Sequence, residues 1–218
     1  MTTTRTPTTL TDADMDVMRI VHRAFRRDGT RLADAAERYG TQDEKAHGAL
    51  LLGWHGFSTS LHHHHTIEDT HIWPVIRGKL GGRPDDLAVL DAMEEEHARI
   101  DPAIAAVEAA FADRKAGVPE VAERITGFVD LLRSHLAHEE RDAFPLIRTL
   151  VTKPEWDALN KAALKELSYS EIAALSPWLL DGASPEDVSR VLDELPAPLR
   201  LVHRFWWNPR YRKARRWG

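Results

Sequence analysis

Residues 61–74 read LHHHHTIEDTHIWP, and at 132–145 the chain reads LRSHLAHEERDAFP, the same pattern displaced by 71 positions. On a helix only every third or fourth residue shares a face, so at most one or two of the four consecutive histidines can do the same job. The +4, +3 series that sets the phase is Leu50, Trp54, Phe57, Leu61, His64, Glu68, His71. Its counterpart is Val121, Ile125, Phe128, Leu132, His135, Glu139, Asp142, and Pro74 and Trp73 likewise match Pro145 and Phe144. His64 therefore belongs to the apolar stripe, His62 and His63 point elsewhere, and His65 lies on the flank.

A second repeat surrounds the first. Met15, Met18, His22, Phe25, Gly29, Leu32 and Ala36 correspond, 75 positions on, to Leu90, Met93, His97, Ile100, Ile104, Val107 and Phe111. Two helix pairs that look like copies of one another imply a pseudo-twofold axis. Strand signals are almost absent, and helix starts are frequent. Thr11 with Asp14 and Thr41 with Glu44 form capping-box patterns opening helices A and B. GKLGGRPDD leads into helix C, which ends near Asp113, and helix D follows over about 119–149. Four long helices joined by short loops predict an all-α, up-down-up-down four-helix bundle over 11–150. A polar tail over 1–10 is expected to be disordered, and a short helical C-terminal extension over 151–218 is expected to pack on the bundle.

Composition narrows the chemistry. The 218 residues include no cysteine, which excludes disulfides, thiolate ligands and cysteine nucleophiles. The Thr-rich start has no apolar stretch of a signal peptide, and no run approaches a membrane span, so a cytoplasmic protein is expected. The net charge of −5 hides an asymmetry: seven basic residues and no acid lie in 200–218, leaving 22 basic against 34 acidic side chains before them. So acidic a body argues against a nucleic-acid partner.

Each helix thus places one histidine on its inward stripe: His22, His64, His97 and His135. Helices B and D add Glu68 and Glu139 one turn later. Burying six polar groups costs several kcal/mol each if they stay unpaired, and no Lys or Arg shares the stripe at this level. Cations meet the need, and imidazole with carboxylate suits first-row metals. Two facing carboxylates are placed to bridge ions about 3.5–4 Å apart. One turn further, His71 and Asp142 stand open between partners of the ligands and wet bundle-end residues. Asp101 is a candidate extra ligand, and His47, His55, His62, His63 and His138 are expected at the surface.

The H…HxxxE…H…HxxxE pattern, carried by MRIVHRAF, HHHTIEDTHIWP, MEEEH and HLAHEERDAFP, resembles the hemerythrin-like (HHE cation-binding) domain over about 11–150. The resemblance implies a non-haem centre of two Fe ions, bridged by carboxylate and by an oxo or hydroxo group. His22, His64, His97 and His135 would be terminal ligands, with Glu68 and Glu139 as bridges. Oxygen-carrying hemerythrins have a fifth histidine one turn along the third helix, where this chain has Asp101. A ferritin-like bundle is excluded because helix A carries His22 where that scheme needs an acid.

Function is expected to follow from a pseudo-symmetric ligand set beside apolar Phe25, Phe57, Leu61, Ile100, Phe128 and Leu132. Such a pocket favours a small diatomic or peroxide ligand. The leading expectation is an oxidoreductase that decomposes peroxide. The alternatives are a reversible O2-binding or sensing protein and a di-iron oxygenase with an organic substrate. No membrane partner is expected: the aromatics of LRLVHRFWWNPRYRKARRW are predicted to pack on the bundle with the arginines facing its acidic body, and Pro209 is predicted to limit the helix.

Overall fold

The computed structural model describes residues 9–38, 43–113, 115–214 and 216–217, and their regular structure is all-helical. A 3-10 turn, Asp12–Met15, leads into α1 (Asp16–Ala36). α2 (Glu44–Ile67) runs through a π turn, Glu68–Ile72, into α3 (Trp73–Lys79). α4 spans Pro84–Ala112. α5 (Val118–His138) runs through a second π turn, Glu139–Ala143, into α6 (Phe144–Leu150). Three further helices follow, α7 (Lys153–Glu166), α8 (Tyr169–Leu179) and α9 (Pro185–Glu194). Last come α10 (Ala197–Val202), a third π turn (His203–Trp207) and α11 (Asn208–Lys213).

Local chemistry sets these boundaries. Thr11 donates to Asp14 through both its backbone N–H, at 2.8 Å, and its hydroxyl, at 2.6 Å, closing the expected capping box. Thr41 lies outside the described residues, and α2 is capped by Asp43, which accepts from the Ala46 N–H at 3.0 Å. α8 is capped by Ser168, whose side chain accepts from the Glu171 N–H. Gly81 and Gly82 take the left-handed conformation, φ 57° and 84°, that lets α3 turn tightly into α4.

The four long helices pack side by side: α1 against α2 and α5, and α4 against α5 and α2. Their apolar faces form two separate clusters. One holds Phe25, Leu32, Trp54, Phe57, Leu61, Phe128 and Leu132; the other holds Met15, Trp73, Ile76, Met93, Phe144 and Ile147. Of the expected tail, 1–8 lie outside the described residues, Thr9 bridges to Thr152, and Leu10 is buried.

α8 packs on α1 and α2, and α9 on α1. Trp178 packs against Phe25, ring centroids 5.1 Å apart and tilted, and donates its indole N–H to the buried Asp28 at 2.8 Å. The basic-aromatic segment departs from expectation in two ways. Trp207 and Tyr211 pack inward as predicted, but Phe205 and Trp206 are 67% and 62% exposed. Pro209 does not end the helix, because the π turn before it carries the chain past the missing N–H. Among the described residues no helix is long and apolar enough to cross a membrane.

Candidate metal centre

The four stripe histidines and two glutamates meet in one layer between the two apolar clusters, all of them buried. His22, from α1, faces Phe144 of one cluster at 5.3 Å, while His64, from α2, faces Phe25 of the other at 5.4 Å. The Nε2 atoms of His22 and His64 lie 3.2 Å apart, as do those of His97 (α4) and His135 (α5). Glu68 approaches one histidine of each pair, with Oε1 at 3.3 Å from His64 and Oε2 at 3.6 Å from His97. Glu139 does the same from the opposite side, its Oε2 lying 3.2 Å from His22 and 4.0 Å from His135.

Carboxylates behind the rings orient them. His22 Nδ1 donates to Glu140 at 2.8 Å, His97 Nδ1 to Asp69 at 2.9 Å and His135 Nδ1 to Glu96 at 2.9 Å. With Nδ1 carrying the proton, each Nε2 lone pair is turned into the layer, the form a metal ligand needs. Asp69 and Glu140 each directly follow a stripe glutamate, at the same offset of 71. That repetition is the sequence signal by which they could have been found.

The electrostatics are those of a site built around positive charge. All four oxygens of Glu68 and Glu139 are buried without a hydrogen-bond partner. Burial, and then the facing Glu139, push the Glu68 carboxyl well above its ordinary range. Burial also opposes ionisation of Glu139, but His22 overrides it and holds the group down at about 2. Burial works against a charge on His22, yet Glu139 and then Glu140 raise it. His64 is held well below its usual value by burial and by the neighbouring histidines. Two buried carboxylates that no lysine or arginine pairs with, among the described residues, fit a cation better than they fit each other. Two groups of donor atoms are close enough to hold metal: His22, His64, Glu68 and Glu139, and His65, His97 and His135.

Other expectations fare differently. His71 and Asp142 are turned out of the layer: His71 contacts Glu166 at 2.6 Å and Asp142 pairs with Arg141 and His138. The π turns cause this, since one extra residue per turn brings Ile72 and Ala143 into the buried stripe instead. Asp101 is exposed. His55 and His62 are exposed as expected, but His47 is buried against Phe111 at 5.9 Å. His138 is half-buried on Glu96 at 2.8 Å and His63 on Glu171 at 2.9 Å. His65, assigned to the flank, is buried with its ring stacked 3.9 Å from that of His97. A residue one position along a helix from a stripe residue is off the stripe by helical period, so periodicity alone passes over it.

The expected apolar pocket is packed core. Phe25, Phe57 and Phe128 are all but fully buried and stand 5.5 and 5.7 Å apart by ring centroid, sealing that side of the layer.

The family described as hemerythrin HHE cation binding domain matches residues 13–147, well over half of the chain and all six stripe residues. No curated protein and no solved structure matches the chain.

Proposed function

The chain belongs to the hemerythrin HHE cation-binding family, and from that premise we propose that it is a non-haem di-iron protein that reacts with small oxidants, peroxide first among them. The carrying observation is the layer of four donor-less buried carboxylate oxygens ringed by inward-turned imidazole nitrogens. His22 and His64 would hold one ion and His97 and His135 the other, with Glu68 and Glu139 shared between them. When bound, a pair of iron ions supplies the two-electron capacity that peroxide or O2 chemistry requires. Glu140, Asp69 and Glu96 hold the ring protons on Nδ1, and the packed phenylalanines keep bulk water and large substrates away. That packing also speaks against an oxygenase with a sizeable organic substrate.

In this reading 11–150 is an up-down-up-down bundle, 151–218 is its helical cover, and the protein works in the cytoplasm on a small neutral ligand. A second reading, reversible O2 binding or sensing, is favoured by one observation. His65 makes the nitrogen environment on the His97–His135 side richer than on the other, and unequal sites suit reversible binding.

Iron analysis of protein purified in air should find two ions per chain, lost in His64→Ala and in Glu139→Ala and kept in His62→Ala. The loaded protein should then decompose added H2O2. A full iron complement without peroxide turnover sinks the peroxide reading and leaves the binding one. Iron content unchanged in His64→Ala sinks the ligand assignment.

A further inference from the structure

His65 is 6% exposed, and its Nε2 is buried without a hydrogen-bond partner. A buried imidazole nitrogen left unsatisfied is costly, and structures rarely tolerate one without a use for it. A ring nitrogen of His65, one of His97 and one of His135 all lie within 4.8 Å of one another. The rings of His65 and His97 are stacked, 14° from parallel, and that of His65 meets His135 edge-on at 5.3 Å. The same position in the other half of the repeat, 71 residues on, is Leu136, fully buried and without a donor atom. A second position breaks the symmetry in the same direction. Glu96 orients His135, whereas its counterpart 75 residues earlier is Val21, which has no carboxylate to offer His64.

We propose that His65 is a further metal ligand, serving the ion held by His97 and His135, so that the two ions have unequal nitrogen sets. This rests on the metal-centre reading above and deepens it. The His97–His135 side is the richer one, with three imidazoles and two carboxylate-anchored rings. The His22–His64 side has two imidazoles, of which, among the described residues, only His22 has a carboxylate behind it. An ion on the poorer side would have fewer protein ligands, leaving more positions for a small ligand. The asymmetry that oxygen carriers obtain from a histidine on the third helix is here supplied from the second, by the residue next to a stripe histidine.

The alternative for His65 is mechanical: a flat ring that merely stacks on His97 and holds it in place. His65→Phe separates the two, because phenylalanine keeps the stacked ring and removes the nitrogen. His65→Leu, which copies Leu136, is the second variant and tests the site with a side chain the other half already accommodates. Full-length protein and both variants are loaded with iron-57, checked for equal helical content, and compared by Mössbauer spectroscopy and by iron release to a chelator. The expected result is two doublets of equal area in the unaltered protein. In both variants one doublet shifts and the other stays, and one of the two irons leaves about 10-fold faster or more. Unchanged spectra and release rates in His65→Phe overturn the ligand role while leaving the metal-centre reading intact. A full-length protein that takes up no iron overturns both.

Discussion

At the scale of single residues, the centre depends as much on the carboxylates behind the histidines as on the histidines themselves. Asp69 is 40% exposed and Glu140 is 31% exposed at the side chain, so on burial alone both would pass as surface acids. Yet each accepts the Nδ1 proton of a histidine on a different helix, and Glu140 is itself held by Arg26 at 2.6 Å. Such outer partners fix ring orientation and ligand basicity, and losing one typically costs about 10–100-fold in metal affinity. Asp69→Asn and Glu140→Gln should therefore each weaken iron retention by that order in a chelator competition while leaving the fold intact. Retention equal to that of the unaltered protein would make them ordinary surface ion pairs.

At the scale of elements, the three π turns share one cause. Each ends two residues before a proline, and the residues between, Trp73, Phe144 and Asn208, donate to the carbonyls of Glu68, Glu139 and His203, five residues back. Pro74, Pro145 and Pro209 have no N–H, and in an unbroken α-helix their rings would press on the carbonyl four residues earlier. Widening the preceding turn by one residue relieves the clash and keeps the helix going. In the first two cases the widened turn begins at a stripe glutamate, so everything beyond it is rotated. Ile72→Asp should then cost at least ~2 kcal/mol, as an unpaired charge in a buried position. His71→Ala should change stability by no more than about 0.5 kcal/mol, as a surface substitution. Thermal melts of the two variants decide it; the reverse order would restore the uninterrupted heptad phase.

At the scale of the whole molecule, the polar layer is clamped between two apolar clusters, and the C-terminal helices cover the flank of one of them. Tyr211 belongs to the cluster that includes Trp178, Leu179 and Phe25, and Trp207 is buried beside Tyr169 at 5.3 Å. None of the six stripe residues lies beyond Glu139. Deleting 199–218 should remove the burial of these two aromatics, worth roughly 1.5–3 kcal/mol each. The melting temperature should fall and aggregation increase, because the surface beneath is apolar. Iron content per folded chain should stay the same. Loss of iron on truncation would mean that the cover holds the centre together, which its position does not suggest.

The sequence by itself determined the all-helical class, the inward phase of His22, His64, His97 and His135, and the pairing of each half with its copy. Helical periodicity is a local property, fixed by backbone geometry and readable from spacing alone. It also placed Glu68 and Glu139 correctly, since both lie ahead of any irregularity in their helices. Only the tertiary structure decided what lies at the margins of that stripe. Periodicity gives an angle about one helix axis, but burial depends on which neighbouring helix covers that angle. His65 is inside because His97 of α4 lies flat against it, and His47 is inside because Phe111 reaches it. His71 and Asp142 are outside because a proline further along unwound the register before them. Phe205 and Trp206 are exposed although Trp207 beside them is buried, because a single helix face can be covered at a time. The carboxylate partners of the stripe histidines come from other helices, and an inter-helix contact has no period to read.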